Sequence, residues 1–517
     1  MKYIVRYKLQ LSAFIGGIVI MTLEMVGSRI LSPYFGSSIN TWSVLIGIIL
    51  GSLSLGYWYG GKCADRHVSD RDLALLFFGS GIYIVLVGLL QHYVINFILG
   101  IPSITLLGGS IVACIIFFFL PNVLLGMINP YLAKMMLSSL NNSGSKMGNL
   151  SALSTVGNIV GTFSASFILI PLMGITAILI LIGIILILLS LYFYKIKLFG
   201  VRVFFICIFL FILYLYPLYN RQLQKLGFID IDTLYGKVLV FTSNSSTYLV
   251  TGAFGYESNS SQTDSTPYLP HFDEVLTPLL KNPKNGLVIG GGTFNLSNYL
   301  LHKYPLMKVA SVEIDKKIKD LAYLYFGYKE NARHSIVIED GRTFVNRSKT
   351  NMYDLIINDT FKDVVPPYYL LTHEAIQKIF DSQTKNGIYI SNIASSIDGK
   401  KSWMLKSSYK TMLSVYPRVF MARLETDTDK RDIQNILLVA IKDGKSPLIN
   451  QLEESSQYIS DYSFDSSIHT LTDDYAPVEY NLMPITTGKS AFHFSKYYLK
   501  KFLDSNYSFY LSLRKQL

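Results

Sequence analysis

The chain has 517 residues, room for two or three domains, and half of them are hydrophobic against 16% charged, a balance that excludes a purely soluble protein. Its net charge of +11 is uneven: residues 1–219 hold 12 of the 46 Lys/Arg and 4 of the 35 Asp/Glu, leaving 34 and 31 for the rest. The basic excess lies between hydrophobic stretches, so lipid topology explains it and nucleic acid does not.

Seven apolar runs, near residues 10–31, 42–60, 73–92, 104–128, 149–170, 173–194 and 200–218, each have roughly the 17–25 residues that a bilayer core requires. The first is too long, and too polar at its end, for a cleaved signal peptide, and no small-residue cleavage pattern follows it. Lys2, Arg6 and Lys8 precede the first run; Lys62, Arg66 and Arg71 follow the second, Lys134 and Lys146 the fourth, and Lys195 and Lys197 the sixth. The alternate loops, 32–41, 93–103 and 171–172, contain no Lys or Arg. This asymmetry predicts a cytoplasmic N-terminus, and seven crossings then put the soluble half outside. Arg221 and Lys225, just after the last run, pull the other way.

Glu24 and Arg29 sit in or near the end of the first run, where an ion pair would lower the cost of burying either. Ser151, Ser154, Thr155, Gly157, Asn158, Gly161 and Thr162 give the fifth run the small-residue spacing of close helix packing. Pro121 predicts a kink in the fourth run, and Asn129-Pro130 its end. Gly60-Gly-Lys-Cys-Ala-Asp-Arg66 resembles the short basic loop of major-facilitator transporters, but seven runs show no internal duplication, which argues against autonomous transport. Cys63, Cys114 and Cys207 fall in or beside the runs, so the soluble half can build neither a disulfide framework nor a thiolate metal site. His271, His302, His334 and His373 are too scattered to suggest a metal centre.

In the soluble half, strands are predicted at 237–242 and 247–250 around a polar turn at 243–246, followed by a Ser/Asn/Thr-rich loop at 257–266. Asn244 and Asn259 head glycosylation triplets. The central stretch is Gly286-Leu-Val-Ile-Gly-Gly-Gly-Thr-Phe-Asn295, then Val309-Ala-Ser-Val-Glu-Ile-Asp315. An apolar run ending in glycines, a helix, and a second run ending in an acid describe one βαβ unit. Its glycines let the backbone approach a ligand, and its acid stands where a ribose hydroxyl is usually held. Further strands end at Asp340, Asp359 and Asn392. Strands alternating with helices predict a doubly wound, mainly parallel sheet, with the glycine turn, Glu313, Asp340 and Asp359 on its ligand-binding edge.

These residues carry a resemblance. The soluble half resembles the spermidine synthase (polyamine aminopropyltransferase) fold, an α/β Rossmann-like relative of the S-adenosylmethionine-dependent methyltransferases with an N-terminal β-hairpin region. The whole chain resembles the membrane-fused spermidine-synthase-like family over most of residues 10–480. Glu24-Met-Val-Gly-Ser-Arg-Ile-Leu-Ser-Pro-Tyr-Phe-Gly36 with Trp42, and Leu471-Thr-Asp-Asp-Tyr-Ala-Pro-Val-Glu479, are similar to its first span and its C-terminal signature. The resemblance implies a helical membrane domain over 1–219, a synthase-like domain over 220–485 and an extension over 486–517. It implies that Gly290, Gly291, Gly292, Glu313, Asp340 and Gly341 hold a nucleoside. Catalysis falls to Asp359 and Asp363, with Tyr235, Asp273, Glu274 and Lys362 on the substrate side.

The departures fall on catalysis. Where the family has a second aspartate three residues after the first, this chain has Lys362, with Asp363 one later; Thr293-Phe294 replaces Asp-Gly, Phe272-Asp273-Glu274 replaces Tyr-His-Glu, and a glutamine near Gly255 is missing. An amine must lose a proton before it attacks, and Lys362 would repel a cationic polyamine. Three readings stay open. The first is a membrane-anchored aminopropyltransferase-like enzyme, using decarboxylated S-adenosylmethionine or S-adenosylmethionine if its domain is cytoplasmic. The second is an extracytoplasmic enzyme without that cofactor, acting on the amino-termini of exported peptides, for example by glutaminyl cyclisation. The third is a non-catalytic binding protein. The partners expected are the lipid bilayer and a small amine or peptide amino-terminus, not nucleic acid, with a homodimer open.

Overall fold

A computed structural model describes residues 2–35, 39–99, 101, 104–137, 143–193, 228–243, 246–251, 255–261, 270–360, 366–424, 428–455, 457–460, 462, 467–478 and 482. The expected span near 200–218, the extension over 486–517, and Lys362 and Asp363 lie outside them. The chain forms two compact units: Met1–Lys225 with Asp230–Lys237, and Leu226–Ile229 with Val238–Leu517.

Among the described residues of the first unit, six helices are long and apolar enough to cross a membrane: Tyr7–Ser32, Ile39–Arg66, Asp70–Gln91, Leu107–Met136, Ser143–Leu172 and Ile175–Phe193, here spans 1 to 6. The fourth contains a π-helical turn at Ile115–Phe119, just before Pro121. Pro130 does not end it, as the sequence led us to expect; the helix runs through Pro130 to Met136. A proline forfeits one backbone bond, and packing against neighbouring spans holds the helix together regardless.

Span 1 packs on span 5, span 2 on span 4, and span 3 on span 6. Each contact is a glycine crossing, where two backbones come closer than any side chain would allow. A Cβ on Gly56 would lie 2.4 Å from the Val123 carbonyl, and one on Gly157 2.1 Å from the Phe14 carbonyl. Gly126 would meet the Leu53 carbonyl at 2.8 Å, and Gly17 the Ser154 carbonyl at 2.3 Å. Gly81 and Gly183 face each other, at 2.6 and 2.7 Å from each other's carbonyls.

The basic loops are tied across one end, Asp65 to Lys134 at 2.7 Å and Lys8 to Asp70 at 3.0 Å. At the other end, the Arg29 guanidinium donates to the carbonyls of Thr233 and Leu234. Asp232 accepts from the Ile175 amide at the head of span 6, at 3.3 Å.

The second unit contains a meander of β2 (Lys237–Ser243), β3 (Ser246–Thr251) and β4 (Gly255–Ser261), antiparallel throughout; β1 (Phe228–Asp232) leads into it across the unit boundary. The expected loop at 257–266 is thus a strand as far as Ser261. Pairing with β3 supplies backbone bonds that outweigh the low strand propensity of Ser and Asn. The main sheet has eight strands: β5 (Asn285–Ile289), β6 (Lys308–Glu313), β7 (His334–Ile338), β8 (Tyr353–Asn358), β9 (Gln383–Ser395), β10 (Arg418–Arg423), β11 (Gln434–Ile441) and β12 (Tyr458–Ile459). Their order is β12-β10-β11-β9-β8-β5-β6-β7, with β5 to β9 parallel and the far edge antiparallel. Alternate side chains fill opposite layers, Leu287, Ile289 and Ile356 in one, and Val288, Leu355 and Ile357 in the other. That two-sided burial explains why these strands read as continuous apolar runs.

Candidate active site

The site forms where β5, β6 and β8 end. The Gly290 amide donates to Val312 O at 2.9 Å and the Asp359 amide to Ile289 O at 2.8 Å, so the glycine turn lies between the acid-bearing strand ends. Gly290 has φ +89°, and a Cβ there would lie 2.2 Å from Asp359 O. Only glycine fits both demands. At Gly291 a Cβ would press on Phe294 and on Glu313 Cβ.

Glu313 is 6% exposed. Its Oε2 accepts from the Gly292 amide and its Oε1 from the Asp315 amide, each at 2.9 Å. The Ile314 amide is a third donor, and a carboxylate has room left to accept from a ribose hydroxyl. Burial pushes its carboxyl up to about 7, against the pull of those amides. The folded protein therefore keeps a proton that the unfolded chain loses, and this group favours folding most below pH 4.5 and progressively less up to about pH 7. The loss across that window is on the order of 3 kcal/mol. In Glu313→Gln, thermal denaturation should lose that slope between pH 4.5 and 7; an unchanged pH dependence would refute the assignment.

Asp340 caps the helix Gly341–Arg347, accepting from the Thr343 amide at 3.0 Å. A Cβ at Gly341 would lie 2.7 Å from Ile289 Cγ2, so this cap packs against the end of β5. Arg342 fastens the C-terminal signature beside it. Its Nη2 donates to Asp473 Oδ2 at 2.7 Å, and its Nη1 to Thr372 Oγ1 at 2.9 Å.

Asp359 is half-buried just past β8, with Oδ1 accepting from Asn392 Nδ2 at 3.0 Å. Burial pushes its carboxyl above the usual carboxylate range, and the Asn392 bond opposes that. Asn392 was not singled out from the sequence. The signal was present, since β9 runs parallel beside β8 with Asn358 opposite Ser391, which puts the next residue beside Asp359. Its Oδ1 is buried without a hydrogen-bond partner.

The structure thus gathers Gly290, Gly291, Gly292, Glu313, Asp340, Gly341 and Asp359 at one sheet edge. Asp273 is turned elsewhere, held by Lys303 and Tyr299 of the helix Asn295–Lys303, up to two turns away from the glycine turn. Phe272 is core, Glu274 is exposed, and Tyr235 lies in the segment counted with the helical unit. The glycine turn, Glu313 and Asp340 are the residue types that would hold a sulfonium nucleoside, and Gly290 and Gly291 leave no room for a side chain between the strand ends. Of the acids expected beyond it, Asp273 and Glu274 do not join this edge.

The family model "Spermine/spermidine synthase domain" matches residues 268–423. The polyamine aminopropyltransferase of Alkaliphilus metalliredigens is 30% identical over 38% of this chain and 72% of its own length. The probable polyamine aminopropyl transferase of Bifidobacterium longum is 25% identical over 48% of this chain, which spans 60% of that relative. A solved probable spermidine synthase from Corynebacterium glutamicum aligns with 48% of this chain and 96% of its own, at 17% identity and a TM-score of 0.40. The Alkaliphilus relative, covered over 72% of its length at 30% identity, and the matching domain model show it: the chain belongs to the spermine/spermidine synthase (polyamine aminopropyltransferase) family.

Proposed function

We propose that this is a membrane-anchored, transferase-like enzyme that acts on an amine, with Asp359 accepting the proton the ammonium must lose. The observation that carries the reading is the Asp359–Asn392 pair beside the glycine turn, 3.0 Å apart. A base works best when its proton affinity is near that of the medium, and burial raises that of Asp359. Asn392 holds one oxygen in place and leaves the other for substrate. Glu313, Asp340 and the glycine amides would hold a sulfonium nucleoside, which when bound supplies an electrophilic carbon. Hydroxyl donors on such a ligand favour the ionised form of Glu313, so its binding would release a proton.

One observation favours the extracytoplasmic reading, in which the acceptor is an amino-terminus of an exported peptide and glutaminyl cyclisation is one chemistry. Asp232, Thr233 and Leu234 are held where span 1 ends and span 6 begins. That face is opposite the basic loops. Span 6 ends at Phe193 on the basic face, whereas Asp232 is held on the opposite one. With the basic face in the cytoplasm, Asp232, Thr233 and Leu234 lie on the outer side, which is the side this reading needs.

Sidedness decides between the two. With Cys63, Cys114 and Cys207 replaced, a cysteine at exposed Lys445 is expected to react with a membrane-impermeant thiol reagent on intact cells. Labelling only after lysis would place the domain in the cytoplasm and return the nucleoside-dependent reaction.

A further inference from the structure

The C-terminal signature, which opens at Leu471, reaches back to the helix Gly341–Arg347 that Asp340 caps. That helix has seven residues, too few to hold its direction in water unaided, so its first turn is aimed by what it packs on. Phe344 and Val345 are buried. Gly341 lies against Ile289, the residue before the glycine turn, and against Leu370. A Cβ there would lie 2.7 Å from Ile289 Cγ2 and 3.2 Å from Leu370 Cδ1. Asp340 accepts from the amide and the hydroxyl of Thr343, at 3.0 and 3.3 Å, through one oxygen, Oδ1.

Arg342, the second residue of this helix, engages all three of its guanidinium nitrogens. Nε donates to Asn346 Oδ1 at 3.0 Å, and Nη1 to Tyr369 O at 2.7 Å and Thr372 Oγ1 at 2.9 Å. Nη1 and Nη2 also fork onto the two oxygens of Asp473, at 3.1 and 2.7 Å. Asp473 is held from its other side as well. The Thr372 hydroxyl donates to its Oδ1 at 2.6 Å, and its own amide donates to Glu374 Oε2 at 2.9 Å. Thr372 caps the helix His373–Ser382, so the Asp473 carboxylate lies at the positive end of that helix. The segment carrying Asp473 is itself pinned, since the Leu471 amide donates to Thr411 Oγ1 at 2.9 Å and the Leu471 carbonyl accepts from the His373 amide at 2.8 Å.

An ordinary surface ion pair contributes little. This one differs, because the Arg342 side chain is only 16% exposed and its partners close into one network. Networks with every member satisfied fix a single arrangement. What this one fixes is the first turn of the helix that presents Asp340, with Arg342 two residues from that acid. We propose that Arg342 and Asp473 are positioning residues for nucleoside binding, through which the C-terminal signature holds Asp340 at the glycine-turn edge, a role that rests on the nucleoside reading of that edge.

The test titrates 5′-methylthioadenosine, which has the base and ribose diol of a sulfonium nucleoside, into the full chain in detergent and reads binding by calorimetry. The parent is expected to bind. Asp473→Ala should weaken binding about 10–100-fold, the scale on which losing the partner of a ligand-holding group is felt at metal sites. Arg342→Lys keeps the charge but loses the fork, and should weaken binding too. Should Asp473→Ala fail to elute from a sizing column as the parent does, Asp473→Asn keeps the shape of the side chain and carries the same test. In turnover, the KM for decarboxylated S-adenosylmethionine should rise in these variants while that for 1,4-diaminobutane stays put, a split that general loosening of the fold would not produce. Undiminished binding by a folded Asp473 variant overturns the proposal and leaves the nucleoside reading standing. No binding by the parent overturns both. The titration needs no turnover, so a failure of Asp359 as the base would leave its result intact.

Discussion

Asp359→Asn is expected to lower amine turnover by about 10²–10⁴-fold, the usual worth of a positioned general base. The substitution keeps the shape of the side chain and an acceptor for Asn392 Nδ2, now 3.0 Å from Asp359 Oδ1. Folding should therefore survive, and thermal denaturation would check that it has. Asn392→Ala makes the companion measurement. The Asn392 bond lowers the proton affinity that burial raises. Without it Asp359 stays protonated to higher pH, and a base must be ionised to act. The acidic limb of the kcat/KM profile should then move to higher pH, with a smaller loss at the plateau. Undiminished turnover in Asp359→Asn would remove the assignment, and an unmoved limb in Asn392→Ala would show that Asn392 serves only to pack.

The nucleoside half of this site is legible in the sequence because it is local. Gly290, Gly291 and Gly292 follow one strand, and Glu313 ends the next, so a single βαβ unit writes both into a short stretch. Asp340 reads as clearly, capping a helix three residues before its partner Thr343. The pairing of Asp359 with Asn392 is not local. It depends on β9 lying beside β8 in a particular register, which residues 33 apart do not announce. Asp273 shows the opposite failure. A three-residue likeness suggested a place in the site, while Lys303 and Tyr299 supply a stronger local claim on its carboxylate. The helix partners in the membrane unit escaped for a third reason: they are set by backbones meeting at Gly17, Gly56, Gly126 and Gly157, and the sequence marks the small residues without saying which span each one meets.

Gly290→Ala tests how far the catalytic half depends on the nucleoside half. Two penalties coincide at this position. A non-glycine residue at φ +89° is strained, by about 1–2 kcal/mol. The added carbon would also lie 2.2 Å from Asp359 O and 2.7 Å from Asp359 C, which are backbone atoms and cannot rotate away. Gly399 separates the two effects. It has φ +77° and nothing within 4 Å of an added Cβ, so Gly399→Ala should show the strain alone. We expect Gly290→Ala to be the more destabilising by roughly 1–3 kcal/mol, the usual cost of overpacking. The chain can relieve the clash only by moving Asp359 away from the glycine turn. A misplacement of about 1 Å in a reacting group is worth about 10²-fold, so turnover should fall far more than stability does. Equal loss of stability in the two variants would mean that the turn and Asp359 are not in contact. Full turnover in Gly290→Ala would mean that the base lies elsewhere.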